Sequence, residues 1–217
     1  MNYNLKSPYV AIIDYGLGNL FSVKNACDHI GLNSKITNSK LEISNAGALI
    51  LPGVGAFKQA MDSLKSLNLI DVIVKFADSD RPLIGICLGM QLLFEQSKEF
   101  GLNNGLGLVK GEVKKFDVPS SVKVPHIGWN SINKIDNNSW GNDFFKNQIN
   151  GDDMYFIHSY FCQPIDSSII KAKTKYGGEY FCSAIVQNNI FGVQFHPERS
   201  AEKGLNFYKN IRNIIQK

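Results

Sequence analysis

Three short apolar runs, Tyr9–Ile13, Ala48–Leu51 and Pro82–Ile86, constrain this chain most. Each runs into a turn that contains glycine, and each turn leads towards a stretch with helical periodicity. Strands this short, without polar alternation, are buried on both faces, which calls for a mainly parallel sheet with helices above and below it. The spacing predicts a helix over Leu20–Ile30, with Val23, Ala26, Cys27 and Ile30 on its apolar face and Gly31 as its stop. It predicts a weak strand at Ser34–Thr37, helix in one or two pieces over Gln59–Ala77, and helix from Leu88 to about Lys98. The second half changes character. Met154–Tyr160, Ile169–Tyr176, Tyr180–Gln187 and Ile190–Phe195 are closely spaced strand candidates, with Asn188-Asn189 as a tight turn between the last two. A closing helix over Gly204–Ile215 carries Leu205, Tyr208, Ile211 and Ile215 at helical spacing. The Asn-rich stretch Asn133–Asn150 reads as a surface excursion. No linker or repeat divides the chain, so residues 9–217 are expected to form one domain, with residues 1–8 as a short extension.

Composition removes several classes of function. Of 217 residues, 44% are hydrophobic and 19% charged, which excludes extended disorder. The net charge of +4 is too small to indicate a nucleic-acid groove. The pair Lys114-Lys115 and the alternating Lys171, Lys173 and Lys175 read as solvated strand edges. The longest apolar-looking run, Pro82–Phe94, contains Gln91 and falls short of the roughly 20 residues that cross a bilayer. The N-terminal residues show no export signal, so a cytoplasmic location with no membrane contact is expected. Cys27, Cys87, Cys162 and Cys182 lack Cys-x-x-Cys spacing, and the histidines are scattered, so free thiols and no metal site are expected. No Gly-Lys-Ser/Thr follows the Pro52-Gly53-Val54-Gly55 turn, and Gly16-Leu17-Gly18 lacks the third glycine of a dinucleotide fingerprint; no cofactor is implied.

The sharpest chemical signal is Gly85-Ile86-Cys87-Leu88-Gly89, between an apolar strand and a helical pattern. A Gly-x-nucleophile-x-Gly turn at such a junction exposes its central side chain, and unpaired N–H groups at a helix start favour a thiolate. Alternatively, Cys87 is a small buried hydrophobe. A nucleophilic cysteine needs a base and a group that orients it. His196-Pro197-Glu198 follows a strand, and residues two apart in extended backbone project together, so His196 and Glu198 can serve; a surface turn is the alternative. The glycines of Pro52-Gly53-Val54-Gly55 suit either an anion-cradling loop or a plain type II turn. His158 suits the core or a cleft edge, and His126 a loop. Cys27 and Cys182 read as packing, Cys162 as ambiguous.

These motifs, in this order, resemble the class I glutamine amidotransferases. The chain is most similar to the members that form the glutaminase subunit of imidazole glycerol phosphate synthases. The closer likeness rests on Asp14-Tyr15-Gly16-Leu17-Gly18-Asn19, Pro125-His126-Ile127-Gly128-Trp129-Asn130, His158-Ser159-Tyr160 and Gly192 through Ser200. The resemblance implies a flavodoxin-like α/β fold, with antiparallel strands in the C-terminal half. It implies Cys87 as nucleophile, His196 as general base and acid, and Glu198 as orienting carboxylate. It also implies an oxyanion hole from Leu88 and the Val54/Gly55 peptide, whose loop reorients when a partner is charged with substrate. L-Glutamine would be held by Gly53, Gln91, Glu95, His158, Ser159 and Tyr160, with Gln91 and Glu95 on one face of the expected helix. Asn19, Trp129 and Asn130, with Trp129 in a Gly/Pro-containing loop, would face a separate (β/α)₈-barrel cyclase in a heterodimer of histidine biosynthesis. The same motifs would also fit a paralogue supplying ammonia for sugar amidination in surface-polysaccharide synthesis. A stand-alone cysteine hydrolase and a non-catalytic regulatory subunit are the more distant alternatives.

Overall fold

The computed structural model describes residues 8–135 and 140–216; residues 1–7 of the expected extension and residues 136–139 of the Asn-rich stretch lie outside it. The first half runs β1 (Val10–Ile13), α1 (Leu20–His29), β2 (Ser34–Thr37), α2 (Lys40–Asn45), β3 (Ala48–Leu51), α3 (Phe57–Ser66), α4 (Ile70–Ala77), β4 (Leu83–Ile86) and α5 (Leu88–Leu92). Strands β5 (Phe94–Ser97), β6 (Asn103–Asn104), β7 (Val109–Lys115), β8 (His126–Lys134), β9 (Asp152–His158) and β10 (Tyr160–Pro164) follow. The chain closes with β11 (Ile170–Tyr176), β12 (Glu179–Gln187), β13 (Ile190–Val193) and α6 (Ala201–Ile215).

The main sheet has the order β2-β1-β3-β4-β13-β12-β11-β8-β9. Its first five strands are mutually parallel, and the remaining pairings are antiparallel. Every residue of β1, β3, β4 and β13 is buried, as expected of strands covered on both faces. One apolar cluster lies under α3, α4 and α5; the other, rich in phenylalanine, lies under α1 and α6. Gly31 ends α1 at φ 66°, the left-handed geometry that glycine tolerates best. Asn188 and Asn189 form the turn joining β12 to β13, with Gln187 paired to Ile190.

Four local expectations are corrected. The helix after Cys87 stops at Leu92 and does not reach Lys98. The carbonyls that would have continued it are taken by another segment: Leu106 N–H donates to Leu92, Leu108 to Leu93, Gly107 to Phe94 and Gly105 to Glu95. Phe94–Ser97 instead enters a small second sheet of order β10-β7-β5-β6. The segment 140–150 does not stay on the surface, because Phe144 and Phe145 are buried against Phe191 and Phe207. His126 and Trp129 lie within β8 and not in a loop. Strand β11 is flanked by β12 and β8, so Lys171, Lys173 and Lys175 are not on an edge.

Candidate active site

Strand register builds the site. Strands β4 and β13 are parallel neighbours with Ile86 opposite Val193, and Cys87 N–H donates to the Val193 carbonyl at 2.8 Å. Residues leaving the same end of both strands therefore emerge side by side: Cys87 from one, Gln194, Phe195 and His196 from the other. Cys87 turns at φ 53°, ψ −109°, a backbone position that L-residues rarely hold. Its two glycines are sterically required. A Cβ on Gly89 would lie 1.7 Å from the Leu51 carbonyl oxygen, and one on Gly85 2.7 Å from the Met90 backbone.

His196 and Glu198 do project together. His196 Nδ1 lies 2.8 Å from Glu198 Oε1, with both side chains almost wholly buried. A carboxylate accepts, so Nδ1 carries the proton, and Nε2 is the nitrogen left for proton exchange. Among the described residues Nε2 has no geometric hydrogen-bond partner. Burial by itself would lower the His196 pKa, but the Cys87 sulfur and the Glu198 carboxylate acting on the ring outweigh it and raise the value. The backbone is held as well: His196 N–H donates to Tyr155 O at 2.9 Å, and Ser200 Oγ donates to His196 O at 2.6 Å.

Cys87 opens onto a cavity of about 260 Å³, below the roughly 300 Å³ at which drug-sized pockets begin and suited to a small ligand. Val54, Gly55, Leu88, Gln91, His158, Ser159 and Tyr160 line it together with Cys87. Gly53 is packed instead against the Tyr15 hydroxyl and Leu88, and a Cβ there would meet that hydroxyl at 2.3 Å. The Tyr15 hydroxyl in turn donates to Pro52 O at 2.6 Å, anchoring the base of the Gly53–Gly55 turn. Gly55, at φ 100°, and half-exposed Val54 form the cavity rim.

Glu95 is not brought to this cavity. With α5 ending at Leu92, Glu95 falls on β5, accepts a hydrogen bond from Gly111 N at 2.9 Å and lines a separate cleft. The carboxylate that lines the Cys87 cavity belongs to Glu99, whose Oε2 accepts from Phe57 N at 2.5 Å. Pro125 and Ile157 complete the lining. Sequence reasoning missed Glu99 because it lies beyond β5, where no helical spacing links it to Cys87. Its acidic character at the end of Glu95-Gln96-Ser97-Lys98-Glu99 was the available signal.

Two hydrogen-bond chains leave the cavity. His158 Nδ1 lies 2.9 Å from Tyr160 O, which only accepts, so Nδ1 carries the proton of neutral His158 and Nε2 is an acceptor. His126 Nδ1, at 3.2 Å, must donate to it, leaving His126 Nε2 to accept from Asn130 Nδ2 at 3.3 Å. Burial is the main cause lowering the His126 pKa to about 4 and that of His158 to about 3, which keeps the pair neutral. Gln91 Nε2 also donates to Tyr160 O, at 2.9 Å, and to Gln194 Oε1, at 3.2 Å. Both of its protons are thereby used, and only Gln91 Oε1 remains to meet a ligand.

The remaining cysteines pack. Cys27, Cys162 and Cys182 are buried and unpaired, and burial pushes the thiols of Cys27 and Cys182 up to about 12. Among the described residues no cluster of His, Cys, Asp and Glu could hold a metal ion, and no helix is long and apolar enough to cross a membrane.

The model of the family "Glutamine amidotransferase class-I" matches residues 11–211. The imidazole glycerol phosphate synthase subunit HisH of Chlorobium chlorochromatii (strain CaD3) is 43% identical over 205 residues, covering 94% of this chain and all of that protein. The subunit of the same name from Moorella thermoacetica (strain ATCC 39073 / JCM 9320) is 44% identical, covering 95% of each chain. The solved structure of PurLQS from Thermotoga maritima superposes with a TM-score of 0.72 at 20% identity, covering 97% of this chain and all of that one, which is a likeness of fold alone.

Proposed function

The chain belongs to the class I glutamine amidotransferase family, and on that premise we propose that it is a glutaminase subunit supplying ammonia to imidazole glycerol phosphate synthesis in histidine biosynthesis. The relatives that match it over nearly their full length support this assignment. The observation that carries the chemistry is Cys87, in its strained turn and opening onto the cavity, with its sulfur acting on the imidazole of the buried His196–Glu198 pair.

Cys87 Sγ gives its proton to His196 Nε2 and attacks the carboxamide carbon of L-glutamine. The oxyanion is held by the Leu88 N–H and by an N–H of the Val54–Gly55 segment. The imidazolium of His196 returns its proton to the departing nitrogen, releasing ammonia and leaving a thioester on Cys87. His196 then takes a proton from water, which attacks the thioester carbonyl; glutamate leaves and the thiol is restored. Glu198 keeps Nδ1 protonated and stabilises the imidazolium. Glu99 supplies a carboxylate for the substrate α-ammonium, while Gln91 Oε1 and the 158–160 backbone hold its other end.

Ammonia released into water at neutral pH becomes ammonium, which is not a nucleophile, so the acceptor has to be close. The acceptor enzyme is a separate (β/α)₈-barrel cyclase in a heterodimer, docked where Ile127, Trp129 and Ile157 stand exposed on β8 and β9. The turn carrying Asn19 lies beside the Gly53 turn, a Cβ on neighbouring Gly18 being 3.7 Å from Gly53 Cα, and Asn19 is taken to face the same partner. Residues 9–217 act as one amidotransferase domain in the cytoplasm, where four unpaired thiols are stable.

The test is co-purification with the cyclase and coupled assay. Cys87→Ala abolishes glutamine-dependent synthesis and leaves ammonia-dependent synthesis intact. Glutamine turnover retained in a clean Cys87→Ala preparation removes the assignment. Stimulation by a sugar acceptor, and none by the histidine precursor, would move the chain to surface-polysaccharide synthesis.

A further inference from the structure

We propose that Gln194 is a further catalytic residue: its side-chain amide donates a hydrogen bond to the Cys87 sulfur and stabilises the thiolate that attacks substrate. The proposal rests on Cys87 being the nucleophile. Gln194 Nε2 lies 3.6 Å from Cys87 Sγ, and the residue is wholly buried.

An amide can present either its oxygen or its nitrogen, and here the surroundings decide which. Tyr160 O is a backbone carbonyl and only accepts, so the Gln91 atom 2.9 Å from it is the amide nitrogen. That same nitrogen lies 3.2 Å from the Gln194 side chain. Turning the Gln194 amide over would set two NH₂ groups against each other in a buried site and leave both short of an acceptor. Gln194 must therefore offer Oε1 to Gln91, and its NH₂ is left facing sulfur. The orientation is passed from one backbone carbonyl through two amides to the reacting atom.

This donor answers a need that the turn leaves open. Helix α5 has only five residues, so its N-terminus brings a weak dipole to the sulfur. Around the sulfur, the Ile157 carbonyl, at 3.8 Å, can only accept and favours the neutral thiol. A fixed N–H on the same sulfur favours the thiolate, and a bond to an ionised acceptor is the stronger kind. Gln194 reaches the sulfur because it is the first residue beyond β13, beside Cys87 at the end of β4.

The experiment compares wild type, Gln194→Met and Gln194→Glu. Gln194→Glu keeps the volume and an acceptor for Gln91 but turns an oxygen towards sulfur; Gln194→Met removes the donor. Alkylation of Cys87 by iodoacetamide is followed by peptide mapping from pH 5 to 10 on the chain alone, beside thermal melting. Glutaminase kcat and KM are measured with the synthase partner present. The expected result is a pH midpoint of alkylation raised by about one unit and a kcat lowered about tenfold, with KM changed less than about threefold. A side chain that merely fills space would leave that midpoint in place. If Gln194→Met does not fold, Gln194→Glu decides alone. A folded variant with the wild-type midpoint and kcat overturns the proposal and leaves Cys87 as nucleophile. Unreactive Cys87 in wild type, with turnover surviving in Cys87→Ala, overturns both.

Discussion

At the scale of single residues, the proposed function gives the acidic side chain in the cavity the substrate's ammonium to recognise. Among the described residues Glu99 is the one carboxylate lining the cavity, and a free amino acid brings one ammonium that needs such a partner. Glu99→Gln is therefore expected to raise KM for glutamine at least about tenfold with a smaller change in kcat, as expected for a lost charge-assisted bond made in both ground and transition states. Glu95→Gln, in its separate cleft, is expected to leave both parameters near wild type; the reverse pattern in steady-state assays would reinstate Glu95. The misassignment has a physical origin. Leu92-Leu93-Phe94-Glu95 contains no proline, glycine or capping residue, so local periodicity continues the helix. Carbonyl capture by the 105–108 N–H groups ends it, and neither partner of those bonds is visible from the other's sequence. Cys87, His196 and Glu198 were legible because a turn and a dipeptide spacing mark them locally.

At the scale of elements, the approach of α5 to β3 holds the Cys87 turn in place. A Cβ on Gly89 would meet backbone, which cannot yield as a flexible side chain does. Gly89→Ala should cost at least about 3 kcal/mol of stability, read from urea midpoints, because the helix must lift from the strand. Gly55→Ala meets nothing within 4 Å, and its positive φ makes it a test of loop conformation more than of packing. A Gly89→Ala protein as stable as wild type would refute this account of the turn. The parallel half of the sheet was readable from unbroken apolar runs. The small sheet holding β5, β6, β7 and β10 was not, since its strands are short or polar and take their identity from partners far along the chain.

At the scale of the whole molecule, two properties can be measured. The buried pair His126–His158 is surrounded by Phe116, Phe156, Tyr176 and Phe181 and stays neutral when folded. With folded values lowered to about 4 and about 3, protons bind the unfolded chain first as pH falls below about 6.5. Stability is thus expected to rise with pH between about 4 and 6.5 and to be lost on the way down, with a limiting slope of about 1.4 kcal/mol per pH unit per histidine. His126→Gln should flatten urea midpoints across that window by one such increment; an unchanged slope would place the acid sensitivity elsewhere. Trp129, 56% exposed on β8, should matter to the partner more than to the fold. Trp129→Ala is expected to keep its melting temperature within a few degrees and to weaken partner-stimulated glutamine turnover; unchanged coupling would remove it from the interface. By itself the sequence determined the alternating α/β plan, the Cys87 turn and the His-Pro-Glu pair, because each is written in residues close enough to share one backbone segment. Only the tertiary structure decided that Glu99 lines the cavity in place of Glu95, and that Gln194 faces sulfur through its nitrogen. Those outcomes depend on strand order, register and the one-way chemistry of a distant carbonyl, which no local pattern encodes.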